Sequence, residues 1–157
     1  MATKTVQTTN DGVYIVKALR DFLNKKWTGK MCNIELEKFG KYPPSMMLQQ
    51  LSGAFIDRKY VDGSYIGIFP FAIYVRVKGE STADTMDAIK QLNDLYHWLI
   101  EMDNEEEYIN LPVLDNYTES MEFEMSSLPS IVERYSDGIE DYQAIFKLKY
   151  MKRRIQL

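Results

Sequence analysis

The chain has 157 residues, the length of one domain able to bury roughly 70% of the surface its unfolded form exposes. With 45% hydrophobic and 27% charged residues, it has the composition of an ordinary soluble globular protein. Net charge is −4 but segregated: residues 1–100 carry +3, residues 101–146 carry −12 with Arg134 as the only base, and the last eleven carry +5. That distribution excludes a general nucleic-acid binder, which needs an extended basic face, and favours neighbours of complementary charge.

Residues 1–10 are polar and threonine-rich, read as an arm, and hold no apolar core of the kind a signal peptide needs. Asn10 or Asp11 caps a helix predicted over Gly12–Lys26, whose buried face is Val13, Val16, Leu19 or Ala18, Leu23 and Trp27. Lys25 and Lys26 complement the helix dipole, and Gly29 ends the segment. Met31–Glu37 alternates as a short strand, and Pro43-Pro44 marks a loop. Met46–Arg58 is the first arm of a long hairpin, with a bulge expected at Gly53 and a turn at Asp62-Gly63.

The second arm runs to Lys78. Phe69, Phe71, Ile73, Val75 and Val77 fall on one face, and Pro70, Ala72, Tyr74, Arg76 and Lys78 on the other. This hairpin is the expected centre of an antiparallel sheet. A second helix starts at Ser81 or Thr82, with Ser81 and Asp84 spaced as a capping box. Its stripe is Met86, Ile89, Asn93, Tyr96 and Ile100, widened by Leu92, Leu95 and Leu99, and it stops near Glu101 or Met102. The carboxylates that follow would oppose its negative end, so residues 101–118 read as an irregular acidic loop.

Strands are predicted at Met121–Met125, Ile131–Tyr135 and Tyr142–Met151, with a turn at Asp137-Gly138. Tyr142, Ala144, Phe146, Leu148 and Tyr150 share one face of the last strand, and Lys147 and Lys149 the other. The expectation is one α+β domain, mainly an antiparallel β-sheet packed by two helices, in the order α-β-β-β-α-β-β-β.

Chemistry has few groups to work with. One cysteine, Cys32, excludes an internal disulfide and a cysteine-clustered zinc site, and fits a reducing cytoplasm. The only histidine, His97, lies mid-helix between Tyr96 and Trp98, where packing outweighs a role as base. No phosphate-cradling glycine loop, Gly-x-Ser-x-Gly elbow or His-Glu-x-x-His is present. The acids Asp103–Glu107 lack the spacing of a calcium loop, and Glu35/Glu37 and Glu122/Glu124 are wet strand faces before they are a nuclease metal pair. No catalytic residue, cofactor or metal ligand is assigned. Eleven tyrosines suit surfaces that are covered when a partner arrives.

The opening helix, Met46-Met-Leu-Gln-Gln-Leu51, Tyr60-Val-Asp-Gly-Ser-Tyr65, Pro70-Phe-Ala-Ile-Tyr-Val-Arg76, the helix after Ser81 and the closing Tyr142–Tyr150 strand together resemble the small neck and tail proteins of long-tailed bacteriophages of Gram-positive hosts. These are often labelled minor capsid proteins, and within them the chain resembles the tail terminator type. The resemblance covers about residues 10–152 and implies a virion protein, assembled in the host cytoplasm. It implies a homo-oligomeric ring of six subunits that stops tail-tube growth and meets the head connector, with DNA only as passing cargo. A head-completion (stopper) protein or minor tail component is the neighbouring reading, and a small metal-dependent nuclease or hydrolase the one from another class. Tyr74, Arg76 and Lys78, and the basic tail Lys152, Arg153 and Arg154, are the candidate subunit or partner interfaces; Glu105, Glu106 and Glu107 are candidate lumen or loop contacts, where negative charge would keep DNA from sticking.

Overall fold

The computed structural model describes residues 9–52, 55–101, 113–115 and 118–153. Its elements run α1 (Thr9–Lys26), β1 (Ile34–Leu36), β2 (Ser45–Gln50), β3 (Phe55–Lys59), β4 (Tyr65–Lys78), α2 (Thr82–Tyr96), β5 (Val113–Asp115), β6 (Thr118–Arg134) and β7 (Ile139–Lys152), with a π turn at His97–Glu101 closing α2. The seven strands form one sheet in the order β1-β2-β4-β7-β6-β5, with β3 beside β4. Every pairing is antiparallel except β1 with β2. The expected α+β class holds.

The alternating stretch is the middle of that sheet. β4 pairs with β7 along its whole length, from Tyr65↔Lys152 to Lys78↔Ile139, and carries β2 and β3 on its other edge. The expected hairpin is therefore present, but its first arm is in two pieces. Gln50 faces Phe71 while Phe55 faces Ile68, so more residues lie on one side of the break than on the other. Gly53, the expected bulge, lies outside the described residues. The break is where Pro70 needs it. Its carbonyl accepts from the Leu51 N–H at 3.2 Å, so its missing N–H points the same way, toward the interrupted arm where no ladder bond is lost.

Both hairpin turns are built alike. Tyr60 N–H donates to the Ser64 carbonyl, Gly63 sits at φ 93°, and the Asp62 carboxylate accepts from the Ser64 N–H at 2.9 Å. Tyr135 N–H donates to the Ile139 carbonyl, Gly138 sits at φ 89°, and the Asp137 carboxylate accepts from the Ile139 N–H at 3.2 Å. Positive φ is what glycine supplies in each.

Several element boundaries differ from expectation: β1 is confined to Ile34–Leu36 of the predicted Met31–Glu37, and β7 starts at Ile139 rather than Tyr142. Two predicted strands are one: β6 runs through Ser126–Ser130, because register shifts between Met125 and Ser127 and between Ser127 and Ser130 leave Pro129 out of the ladder. A short β5 forms just beyond Pro112, within the predicted loop. Helix α1 begins at Thr9 rather than Gly12, ahead of the Asn10 and Asp11 expected to cap it.

Both helices bury their stripes in one core with the inward residues of β4 and β7. Phe71 stacks on Phe69 and Phe146 at ring distances of 5.9 and 5.6 Å. The stripes hold at Leu19, Leu23, Trp27, Leu92, Leu95 and Leu99, with Val16, Ile89, Tyr96 and Ile100 partly buried against the core, and differ at their margins. In α1, Val13 is exposed and Ile15 is buried with Leu19, Leu23 and Trp27. In α2, Met86 and Asn93 are exposed, and the buried line is Ala88, Gln91, Leu92 and Leu95, continued by Leu99 in the π turn. Gln91 belongs to it because its amide donates to the Gly29 carbonyl and accepts from the Met31 N–H, pinning that loop. A pattern counted in apolar residues alone cannot find a buried polar group that has its partners.

Candidate interaction surface

No described helix covers the opposite face of the sheet, and the outward residues of β4 lie on it. Arg76 is not a free cation there. Its guanidinium grips Asp141, its ladder partner on β7, through two parallel bonds, Nε to Oδ1 at 2.7 Å and Nη2 to Oδ2 at 2.9 Å. It also stacks on Phe39, 4.0 Å from the ring centre, and bonds the Tyr135 hydroxyl at 3.3 Å. Tyr135 donates to Asp141 Oδ2 at 2.9 Å, a bond that raises the tyrosine pKa because ionisation would forfeit the donor. Asp141 in turn raises the Arg76 pKa further. Tyr74 continues the cluster, accepting from Gln143 Nε2 at 2.7 Å and packing edge-on against Phe39. Lys78 is exposed at the rim of a cleft of about 320 Å³ lined by Met31, Pro43, Pro44, Val77, Asp84 and Asp87 among others.

One register step along, Glu140 joins the sheet to α2. It accepts from Arg134 Nε at 2.8 Å, Tyr142 OH at 3.1 Å and Thr85 Oγ1 at 3.2 Å. The bond from Arg134 is the largest cause holding its carboxyl below the usual range, with Tyr142 and Thr85 adding to it. Among the described residues no buried side-chain nitrogen or oxygen lacks a hydrogen-bond partner.

The basic tail folds back on the acidic segment. Strands β6 and β7 are neighbours, so Lys149 meets Glu122 at 3.5 Å, Lys147 faces Glu124 across the ladder, and Arg153 meets Glu119 at 3.3 Å. The opposite charges that the sequence separates into blocks are thus partly neutralised within the chain. Six acids of the −12 segment (Glu101, Asp103, Glu105, Glu106, Glu107 and Asp115) precede β6 with no base among them. Glu105, Glu106, Glu107 and Arg154 lie outside the described residues. Lys152 ends β7 opposite Tyr65 and Thr118.

The edges of the sheet differ in how they are closed. On β1, the Asn24 amide of α1 acts as a substitute strand, accepting from the Ile34 N–H at 2.8 Å and donating to the Ile34 carbonyl at 3.0 Å. On β6, β5 pairs only Thr118 and Glu119, so the outer edge from Met121 to Arg134 has no ladder partner among the described residues. Met121, Leu128 and Val132 are exposed along it. The outer edge of β3 is likewise unpaired among the described residues, with Asp57, Arg58 and Lys59 exposed.

Of the groups weighed for chemistry, His97 is exposed and packs edge-on against Tyr96. Cys32 is half-buried, and burial pushes its thiol pKa up, away from a reactive thiolate. Among the described residues no three His, Cys, Asp or Glu side chains come together as metal ligands, and no helix is long and apolar enough to cross a membrane. The residues that sequence reasoning missed, Phe39, Tyr135, Glu140 and Asp141, carry one legible signal: with β4 and β7 aligned end to end, Arg76 falls opposite Asp141. Neither a scan against protein-family models nor a search of curated proteins finds a match to this chain.

Proposed function

We propose that this chain is a structural subunit of a phage virion, a tail terminator that caps the tail tube as a six-membered ring and offers its other surface to the head connector. The reading rests on the resemblance carried by Tyr60–Tyr65 and Pro70–Arg76. The observation that supports it best is the long outer edge of β6, with exposed Met121, Leu128 and Val132, on a sheet where Asn24 closes the β1 edge at Ile34. An unpaired strand edge is a template for a partner's strand and is ordinarily covered or blunted. Conspicuous polar groups hold the sheet in shape: Arg76, Asp141 and Tyr135 are engaged with one another, and Glu140 with Arg134, Tyr142 and Thr85. The acids preceding β6 supply the negative charge expected of a DNA passage.

Negative-stain microscopy of phage particles made without the protein tests the role. Overlong tails with no heads attached are expected. Tails of normal length with detached heads would move the assignment to a stopper, and normal particles would remove the virion role.

A further inference from the structure

Resting on the ring reading, we infer that neighbouring subunits join through their sheets, the outer edge of β6 in one copy taking the outer edge of β3 from the next. Three observations converge on this pairing. First, the outer edges of β6 beyond β5 and of β3 have no ladder partner among the described residues, whereas Asn24 bonds that of β1 at Ile34. Second, the strand senses agree. β6 is antiparallel to β7 and β7 to β4, so β6 runs with β4, while β3 runs against it. Two copies set side by side with their strands in the same sense therefore bring β6 and β3 together antiparallel, the favourable hairpin-like ladder.

Third, the charges match on the correct face. Arg58 pairs with Ile66 and Glu124 faces Lys147, which in turn faces Pro70, so Arg58 and Glu124 both project from the helix-free side. Glu122 lies on that side too, against Lys149, and remains half exposed. A β6–β3 junction places the exposed Arg58 beside Glu122 and Glu124. A β6–β6 pairing would instead bring acidic strands together, with Glu119, Glu122, Glu124 and Glu133 against one another.

Length and irregularity confine the junction. Register shifts flank Glu122–Met125 on both sides, at Ser120/Glu122 and Met125/Ser127, and Pro129 interrupts the edge beyond. The regular run is therefore short, comparable with β3, and the bulges blunt the remainder against indiscriminate pairing. Because the two patches are different surfaces of one chain, the contact is head-to-tail, and closes into a ring if the rotation per subunit permits.

The test is cysteine cross-linking of the full chain in a Cys32→Ser background. Arg58→Cys combined with Glu122→Cys or with Glu124→Cys should give, on mild oxidation, a ladder of dimers, trimers and larger species in denaturing gels, absent from each single variant. No ladder beyond the single variants in either combination overturns the inference. Charge exchange checks it independently: Arg58→Glu and the double variant Glu122→Lys/Glu124→Lys should each self-associate about tenfold more weakly than wild type, and recover when mixed. Failure of the mixture to recover overturns the inference as well. Overlong tails without the protein but no ladder would leave the terminator role standing and remove this junction. A ladder with normal tails would do the reverse.

Discussion

Removing Arg76 should cost more stability than removing its partner. Asp141 is nearly enclosed, its side chain 6% exposed, whereas that of Arg76 is 28% exposed. Arg76→Met keeps the packed stem but leaves a desolvated carboxylate with, among the described residues, the Tyr135 hydroxyl as its remaining side-chain donor, in place of two charge-assisted bonds at 2.7 and 2.9 Å. Breaking a fully buried pair this way costs 3–5 kcal/mol; the partial exposure of Arg76 reduces the expectation to about 3 kcal/mol. Asp141→Asn leaves a guanidinium that retains solvent and the Phe39 ring, and should cost about 1–1.5 kcal/mol. For a chain of this size the two should lower Tm by about 6–12 °C and about 2–6 °C respectively. Urea and thermal unfolding followed by circular dichroism measure both, and a double-mutant cycle isolates the coupling. Equal losses, or a larger loss for Asp141→Asn, would refute the reasoning that burial of the carboxylate decides the asymmetry.

Other outcomes follow from single positions. A Cβ on Gly67 would lie 2.3 Å from the Tyr150 ring, so Gly67→Ala should destabilise by about 1–3 kcal/mol, and Gly67→Ala/Tyr150→Leu should recover part of it in the same melts. Gly138→Ala meets nothing within 4 Å, so its cost, about 1 kcal/mol, should come only from the positive φ and be unchanged in a Tyr142→Phe background. Glu140 has a lowered folded pKa, so its contribution is present above the unfolded value near 4.5 and is lost as pH falls below it. Urea midpoints measured through pH 5 to 3 should fall less steeply in Glu140→Gln than in wild type. Ser81 accepts from the Asp84 N–H at 3.3 Å as the α2 cap, and Ser81→Ala should cost about 1 kcal/mol.

What the sequence reveals here depends on range. Both Asp-Gly turns and the Ser81 cap are legible because their determinants lie within five residues, and β4 is legible because its alternation is uninterrupted. The margin of the α2 stripe is misplaced because Gln91 and Thr85 are polar yet face inward, satisfied by groups some 60 and 55 residues away. Net charge by segment finds two opposed blocks but not that β6 and β7 lie side by side, which turns part of the asymmetry into internal pairs. Of the candidate interface, Tyr74 and Arg76 prove to be held within the chain and Lys78 to be exposed, while the β6 edge is invisible in one dimension, since only the completed strand order shows that β6 has nothing beyond it but the short β5.

The pairing of β4 with β7 also dictates when this protein is able to fold. Its Arg76–Asp141 clasp spans 65 residues, and the intervening chain contains α2, β5 and β6. During synthesis β4 emerges with β2 and β3 on one edge and nothing on the other until β7 leaves the ribosome. An apolar strand kept waiting over so long a loop makes folding slow and late, and exposes the nascent chain to mispairing with its neighbours. The interval between the synthesis of β4 and of β7 is therefore the one in which this edge is open to a neighbouring chain.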